Sequence, residues 1–270
     1  MNWGRAKTIL IILFLLIDVL LLGFLFVVKN GANYINEETA RDTTAVLNAH
    51  NIKVKKEQIP LRRVDKKILY FENLAATPEK AAELFFGENY KASVENNCKV
   101  YSNMEESVTI EKSTILYENN RKISPCNSFE QIKKAVLFDL KKFGFNEDEI
   151  ILKSGDIKNG VCYVQLMQKY EGIEVNGTEM IIEADNLGII KMHGRLFDLK
   201  RVENTYEKLP DVTSLLVNMI YNPDYNGLEI KDIKAVYYIP SQYIDGAEVC
   251  AYPVHAVTGD KNEQYILEEY

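Results

Sequence analysis

Residues 9–28 constrain this chain more than any other feature. Ile9 to Val28 is a run of 20 residues whose only non-apolar members are Asp18 and Gly23. As an α-helix rising about 1.5 Å per residue it would cover roughly 30 Å, the thickness of a bilayer core. Arg5 and Lys7 precede the run and Lys29 follows it, so the tail at 1–8 is the more basic flank and is expected to be cytoplasmic. A cleaved secretory signal is the rival reading. Its apolar core is about 7–15 residues and ends at a small-x-small step. Val28-Lys29-Asn30-Gly31-Ala32 offers no clean step of that kind. The expectation is a retained transmembrane helix at 9–28 in the cell membrane, with extracytoplasmic domains after it.

Roughly 240 residues remain, enough for one large or two modest domains. The chain holds 32 Lys and Arg against 39 Asp and Glu, of which the first 30 residues contain 3 and 1. Residues 31–270 are therefore clearly acidic, which argues against nucleic acid and against adsorption to an anionic surface. Cys98, Cys126, Cys162 and Cys250 have no C-x-x-C spacing, so neither a zinc ribbon nor a thioredoxin motif is present. Disulfides and buried free thiols both remain open for them.

Local signals divide the rest. Asn36 followed by Glu37 and Glu38 caps a helix over 36–50, and Thr77-Pro78 opens one ending before Gly87. Ser128-Phe129-Glu130-Gln131 reads as a capping box. Behind it Phe129, Ile132, Val136, Leu140 and Phe143 recur at steps of 3 and 4, a helix with one buried stripe. Asp211 caps a fourth helix running to Ile220. Extended patterns fall at 52–72, 92–102, 107–118, 161–170, 180–184 and 189–196, then near 229–239, 247–257 and 262–268. Asn176-Gly177 is a hairpin signal, and Asp185-Asn186-Leu187-Gly188 suits a type I turn. Asn119 to Pro125, polar and turn-rich, is the best boundary. It separates domains at 29–122 and 123–270, the second with a helix plus three strands occurring twice.

Chemistry-bearing motifs are scarce. His50, His193 and His255 lie in no metal-ligand pattern, and His193 reads as a hydrogen-bonded structural histidine. No G-x-S-x-G, glycine-rich phosphate loop or Cys–His signature occurs. No catalytic, cofactor or metal residue is therefore assigned, and the chain is read as a non-enzyme. Asn176-Gly177-Thr178 matches a glycosylation sequon, better explained as a turn. Tyr163, Tyr170, Tyr237, Tyr238 and Tyr252 fit half-buried strand packing. Asp18 is the residue hardest to explain as packing: a carboxylate inside a membrane-depth helix is costly unless it faces a partner, so a contact with another helix is expected of it. Trp3, Arg5 and Lys7 read as a membrane-interface anchor.

Two stretches resemble a known family. Met1-Asn2-Trp3-Gly4-Arg5-Ala6-Lys7-Thr8-Ile9, with Asp18 inside the apolar run, is similar to the opening of the YycI (WalI) family. The block Tyr163–Gly177, followed by Ile181–Gly188, resembles the ectodomain of that family and also PepSY-like and protease-propeptide modules. The resemblance implies an α+β fold: a transmembrane helix, then two extracytoplasmic domains of antiparallel sheet packed with helices, PepSY-like and YycH/YycI-like. It implies a regulator of the WalK (YycG) sensor histidine kinase in a two-component system for cell-wall homeostasis. Such a protein acts with a YycH-like partner by protein–protein contact and needs no cofactor. The alternative is a membrane-tethered inhibitor or chaperone of a secreted protease or cell-wall enzyme. A homodimer is compatible with either.

Overall fold

A computed structural model describes the backbone of residues 3–31 and 34–267, with side chains except at 3–6, 8, 9, 25–31, 154 and 206. Its helices are α1 (Trp3–Gly31), α2 (Glu37–Ala49), α3 (Pro78–Phe86), α4 (Phe129–Lys142) and α5 (Val212–Asn218). The strands through the middle of the chain are β1 (Asp65–Asn73), β2 (Lys91–Glu95), β3 (Cys98–Ser102), β4 (Glu106–Glu111), β5 (Thr114–Asn119), β6 (Ile150–Lys158) and β7 (Val161–Tyr170). They are followed by β8 (Ile173–Asn176), β9 (Met180–Asp185), β10 (Gly188–Gly194), β11 (Phe197–Lys208), β12 (Asp232–Tyr238), β13 (Glu248–Thr258) and β14 (Gln264–Leu267).

Three of the four expected capping residues act as their chemistry predicts. Asn36 Oδ1 accepts from Glu38 N and Asp211 Oδ1 from Thr213 N, satisfying donors that a first helical turn leaves free. Ser128 Oγ accepts from Gln131 N, while the Gln131 side chain reaches back to Asn127 N rather than Ser128 N. Thr77 precedes Pro78 at the start of α3 but makes no side-chain cap bond.

Two expectations about the architecture are overturned. The chain is mostly a large mixed sheet with few helices, not two domains of antiparallel sheet packed with helices. The stretches at 92–102 and 107–118 are each a hairpin. Asn96 and Asn97 both take positive φ between β2 and β3, a conformation asparagine tolerates in two-residue turns. β8 pairs in parallel with β12, Tyr237 opposite Val175, which a chain of local hairpins cannot produce.

The second correction concerns the anchor. Among the described residues no helix is long and apolar enough to cross a membrane, so single-pass anchoring with its cytoplasmic tail and extracytoplasmic domains is not supported. The apolar side chains described on α1 run from Leu10 to Phe24.

The chain divides into two compact units. One comprises residues 1–65, 207–234 and 255–270, the other 66–206 and 235–254. In the smaller unit, α2 packs on α5 around Ala40, Leu47, Ile52, Val212, Leu216 and Met219. The end of β13 pairs there with β14. Arg63 bridges to the capping Asp211 at 2.9 Å.

In the larger unit, the strands lying wholly or partly within it follow the order β11-β1-β13-β12-β8-β7-β9-β10-β5-β4-β3-β2, with β6 on β7. The expected pairing of 161–170 with 180–184 is present as β7 on β9, and the Asp185–Gly188 turn leads into β10 as anticipated. The stripe of α4 covers this sheet: Ile132, Val136 and Leu140 join Ile115, Leu166, Ile182 and Met192 in one core. The segment expected as a domain boundary, 119–125, lies inside this unit, between β5 and α4.

Candidate functional site

Asp18 stands exposed on α1 amid exposed apolar neighbours, from Ile17 at 41% to Val19 at 67%. Lys7 is exposed too, while the side chains of Trp3 and Arg5 lie outside the described residues. The side chains of Asp18 and Lys7 form no hydrogen bond or ion pair with another described residue.

The D-x-x-G turn has a role that turn chemistry alone does not reveal. Asp185 is wholly buried. Its Oδ2 accepts from Arg121 Nη1 at 2.7 Å and Ser124 N at 2.6 Å, and its Oδ1 from Arg121 Nη2 at 2.6 Å and Leu187 N at 2.8 Å. Arg121 Nη2 also donates to Gly188 O at 3.2 Å. Burial by itself would raise the Asp185 carboxyl, but these donors outweigh it and hold the group below the usual carboxylate range. With two donors on each oxygen the carboxylate is saturated. It clamps the 121–124 segment onto the β9–β10 hairpin and is not placed to move a proton. Gly188 is required beside it, because its φ is +116° and a Cβ there would collide with Asp139 Oδ2.

The Asn176-Gly177 signal marks a turn, but the two-residue hairpin loop lies one step earlier. Glu171 and Gly172, at φ 48° and 83°, join β7 to β8. Thr178 is buried, donating to Val175 O at 2.7 Å and accepting from Gln168 N at 3.0 Å, so its hydroxyl staples the turn.

Of the histidines, His193 is exposed on β10, and the buried hydrogen-bonded one is His255. Its Nε2 lies 3.2 Å from Pro210 O, which can only accept, so the neutral ring carries its proton there. Nδ1 is buried without a partner. Burial pushes the imidazole below its ordinary value of 6.5, against smaller opposing effects from Pro210 O and Asp211. In the unfolded chain the ring binds a proton below about pH 6.5, while the folded chain resists doing so, and stability must fall with pH in that window. Unfolding measured between pH 7.5 and 5 should show a slope approaching about 1.4 kcal/mol per pH unit below 6.5. His255→Leu should flatten that slope. All four cysteines are free thiols, Cys126 and Cys162 being buried.

The larger unit also contains a cavity of about 450 Å³. Five aromatic rings line it: Phe71, Phe143, Phe145, Tyr170 and Phe197. Gln168 on β7 contributes the polar wall. Its Nε2 donates to Phe197 O at 2.8 Å, which fixes the amide orientation, and its Oε1 is buried with no partner. At the rim Lys80 bonds Glu72 at 2.6 Å and Asp198 at 3.0 Å, and Lys200 bonds the same two acids at 2.9 and 2.5 Å. Hydrogen bonds from Lys80 and then Lys200 lower the Glu72 carboxyl. Burial would raise Asp198, but the same two lysines prevail and lower it. Sequence reasoning missed this cavity, since its rings come from β1, β7, β11 and the end of α4. The only local trace was the Gln168-Lys169-Tyr170 run inside the block that carried the resemblance.

Among known proteins, no family model and no curated protein matches the chain. Solved structures similar to it include the following two. An uncharacterized protein from Eubacterium rectale ATCC 33656 aligns at 13% identity and TM-score 0.47, covering 78% of this chain and 83% of that one. The Bacillus megaterium YpeB C-terminal domain aligns at 10% identity and TM-score 0.34, covering 73% and 97%. At these scores neither structure carries an argument, and the YycI family is not confirmed.

Proposed function

We propose that this chain is a non-enzymatic regulator of a sensor histidine kinase and works by protein–protein contact through α1. The observation that carries this reading is Asp18. Leu10 to Phe24 present apolar side chains to solvent all around the helix. A helix apolar on every side is stable only when covered. The carboxylate in its midst would then need a hydrogen-bond donor on whatever covers it. The kinase, with a YycH-like protein beside it, is the partner that the family resemblance implies.

The test is co-purification of the full chain with the kinase, comparing wild type and Asp18→Leu. A buried hydrogen bond to a charged group contributes about 1.5–3 kcal/mol, so association should weaken by about tenfold or more. Unfolding of the rest of the chain should be unchanged, because Asp18 is exposed and its side chain forms no hydrogen bond or ion pair with another described residue. If association and kinase autophosphorylation are both unaltered, the reading fails.

A further inference from the structure

We infer that the outer edge of β2 is a docking surface for a second copy of this chain, which adds its own β2 antiparallel to it. This goes beyond the proposed kinase contact and does not depend on it. β2 ends the strand order of the larger unit, pairs only with β3 among the described residues, and is exposed at every position from Lys91 to Glu95. A sheet edge of this kind carries N–H and C=O groups ready to pair with another strand.

The β2–β3 turn fixes which groups those are. Asn96 and Asn97 form the two-residue loop, so Glu95 and Cys98 close it as a hydrogen-bonded pair. Ser93 with Val100 and Lys91 with Ser102 follow in alternation. The N–H and C=O groups of Ala92 and Val94 therefore point away from β3, to the free edge. An antiparallel partner can bond only in a register that sets such residues opposite each other. With Ser93 on the twofold axis, Ala92 of each copy faces Val94 of the other, and each of these pairs exchanges both backbone bonds.

The side chains select the same register. Lys91 then lies opposite Glu95 of the second copy, and Glu95 opposite its Lys91. Both are non-hydrogen-bonded positions, where cross-strand side chains come closest. Among the described residues neither has an ion pair within its own chain, and Glu95 accepts only from Ser93 Oγ at 3.5 Å. Moving the axis to Ala92 or Val94 keeps the bonding phase but sets Lys91 or Glu95 opposite Ser93. A parallel pairing in register would place like charges side by side. Ala92 lies across from the core residue Tyr101, so Ala92 and Val94 continue the core face of the sheet beyond its cover. Val94 is 73% exposed there, and Ala92 of the second copy becomes its cross-strand neighbour.

Sedimentation equilibrium of the full chain tests this, in a mild nonionic detergent that covers the apolar side chains of α1. Strands of five residues make a small interface, so wild type should dimerise reversibly with a Kd of about 10–100 μM. Lys91→Glu and Glu95→Lys each create like-charged pairs on both sides of the axis, and each should weaken the dimer about tenfold. An equimolar mixture of these two variants should recover wild-type association as a mixed dimer, because every Glu then meets a Lys. Val94→Pro removes an outward N–H that β3 does not use, and should leave the chain monomeric with its circular dichroism unchanged. A wild-type chain that stays monomeric through that range, or a mixture that fails to recover, would overturn the inference. So would association unmoved by either charge reversal or by Val94→Pro, which would place the contact on α1 instead.

Discussion

Asp185→Ala is expected to lower the unfolding free energy by about 3–5 kcal/mol, because it leaves the Arg121 guanidinium without its buried counter-charge. It also strips acceptors from Ser124 N and Leu187 N. Urea unfolding followed by circular dichroism measures this directly. The acid limb offers an independent check. The folded carboxyl titrates below its ordinary value of 3.8, so its contribution is fully present above about pH 4 and disappears as pH falls through the folded value. Wild type should therefore lose more stability than Asp185→Ala on acidification below pH 4. A cycle with Arg121→Met separates the pair from its surroundings. Together the two substitutions should cost less than the sum of the singles, because the second removes the charge that the first strands.

Leu140→Ala is expected to cost about 2–5 kcal/mol, the range for truncating a large aliphatic side chain in a filled core. Leu140 is fully buried and sits with Ile132 and Val136 in the stripe that α4 presents to the sheet. Phe138, two residues away, is 62% exposed on the opposite side of the helix. Phe138→Ala should change stability by no more than about 0.5 kcal/mol. Equal costs at the two positions would mean that α4 does not bury the face described.

These two residues differ in how far they could be read beforehand. The 3-and-4 spacing of Ile132, Val136 and Leu140 is a property of one helix, and it identifies the buried face before any neighbour is known. Asp185 announced only a turn, through its fourth-place Gly188. The residue that makes it a buried clamp, Arg121, lies 64 positions away in a segment whose polarity looks like a boundary. Polar composition marks where a backbone can turn, and says nothing about whether a guanidinium there faces water or a carboxylate. The histidines repeat the lesson. His193 looked structural from its place in a strand, yet it faces outward, and His255 is enclosed because Pro210 and the end of β13 meet in the smaller unit.

The apolar run at 9–28 is a case where local composition reached too far. Its helical nature is local, since the Leu-rich run contains no proline and a single glycine, and α1 covers it. The inference from apolar run to membrane span was not upheld, and what survives is an exposed apolar surface with one carboxylate in it.

By itself, the sequence determined the local pieces of this protein: the capped starts of α2, α4 and α5, the stripe of α4, the turn into β10 and most strand positions. Each follows from interactions within about four residues or from the twofold alternation of a strand. Only the tertiary structure decided which strands are neighbours, as when Leu69 of β1 lies opposite Ala251 of β13 and β8 runs parallel to β12. Backbone N–H and C=O groups pair without regard to side-chain identity, so the choice of partner falls to the packing of faces drawn from distant segments. That same packing enclosed Asp185 with Arg121 and assembled the aromatic cavity around Gln168.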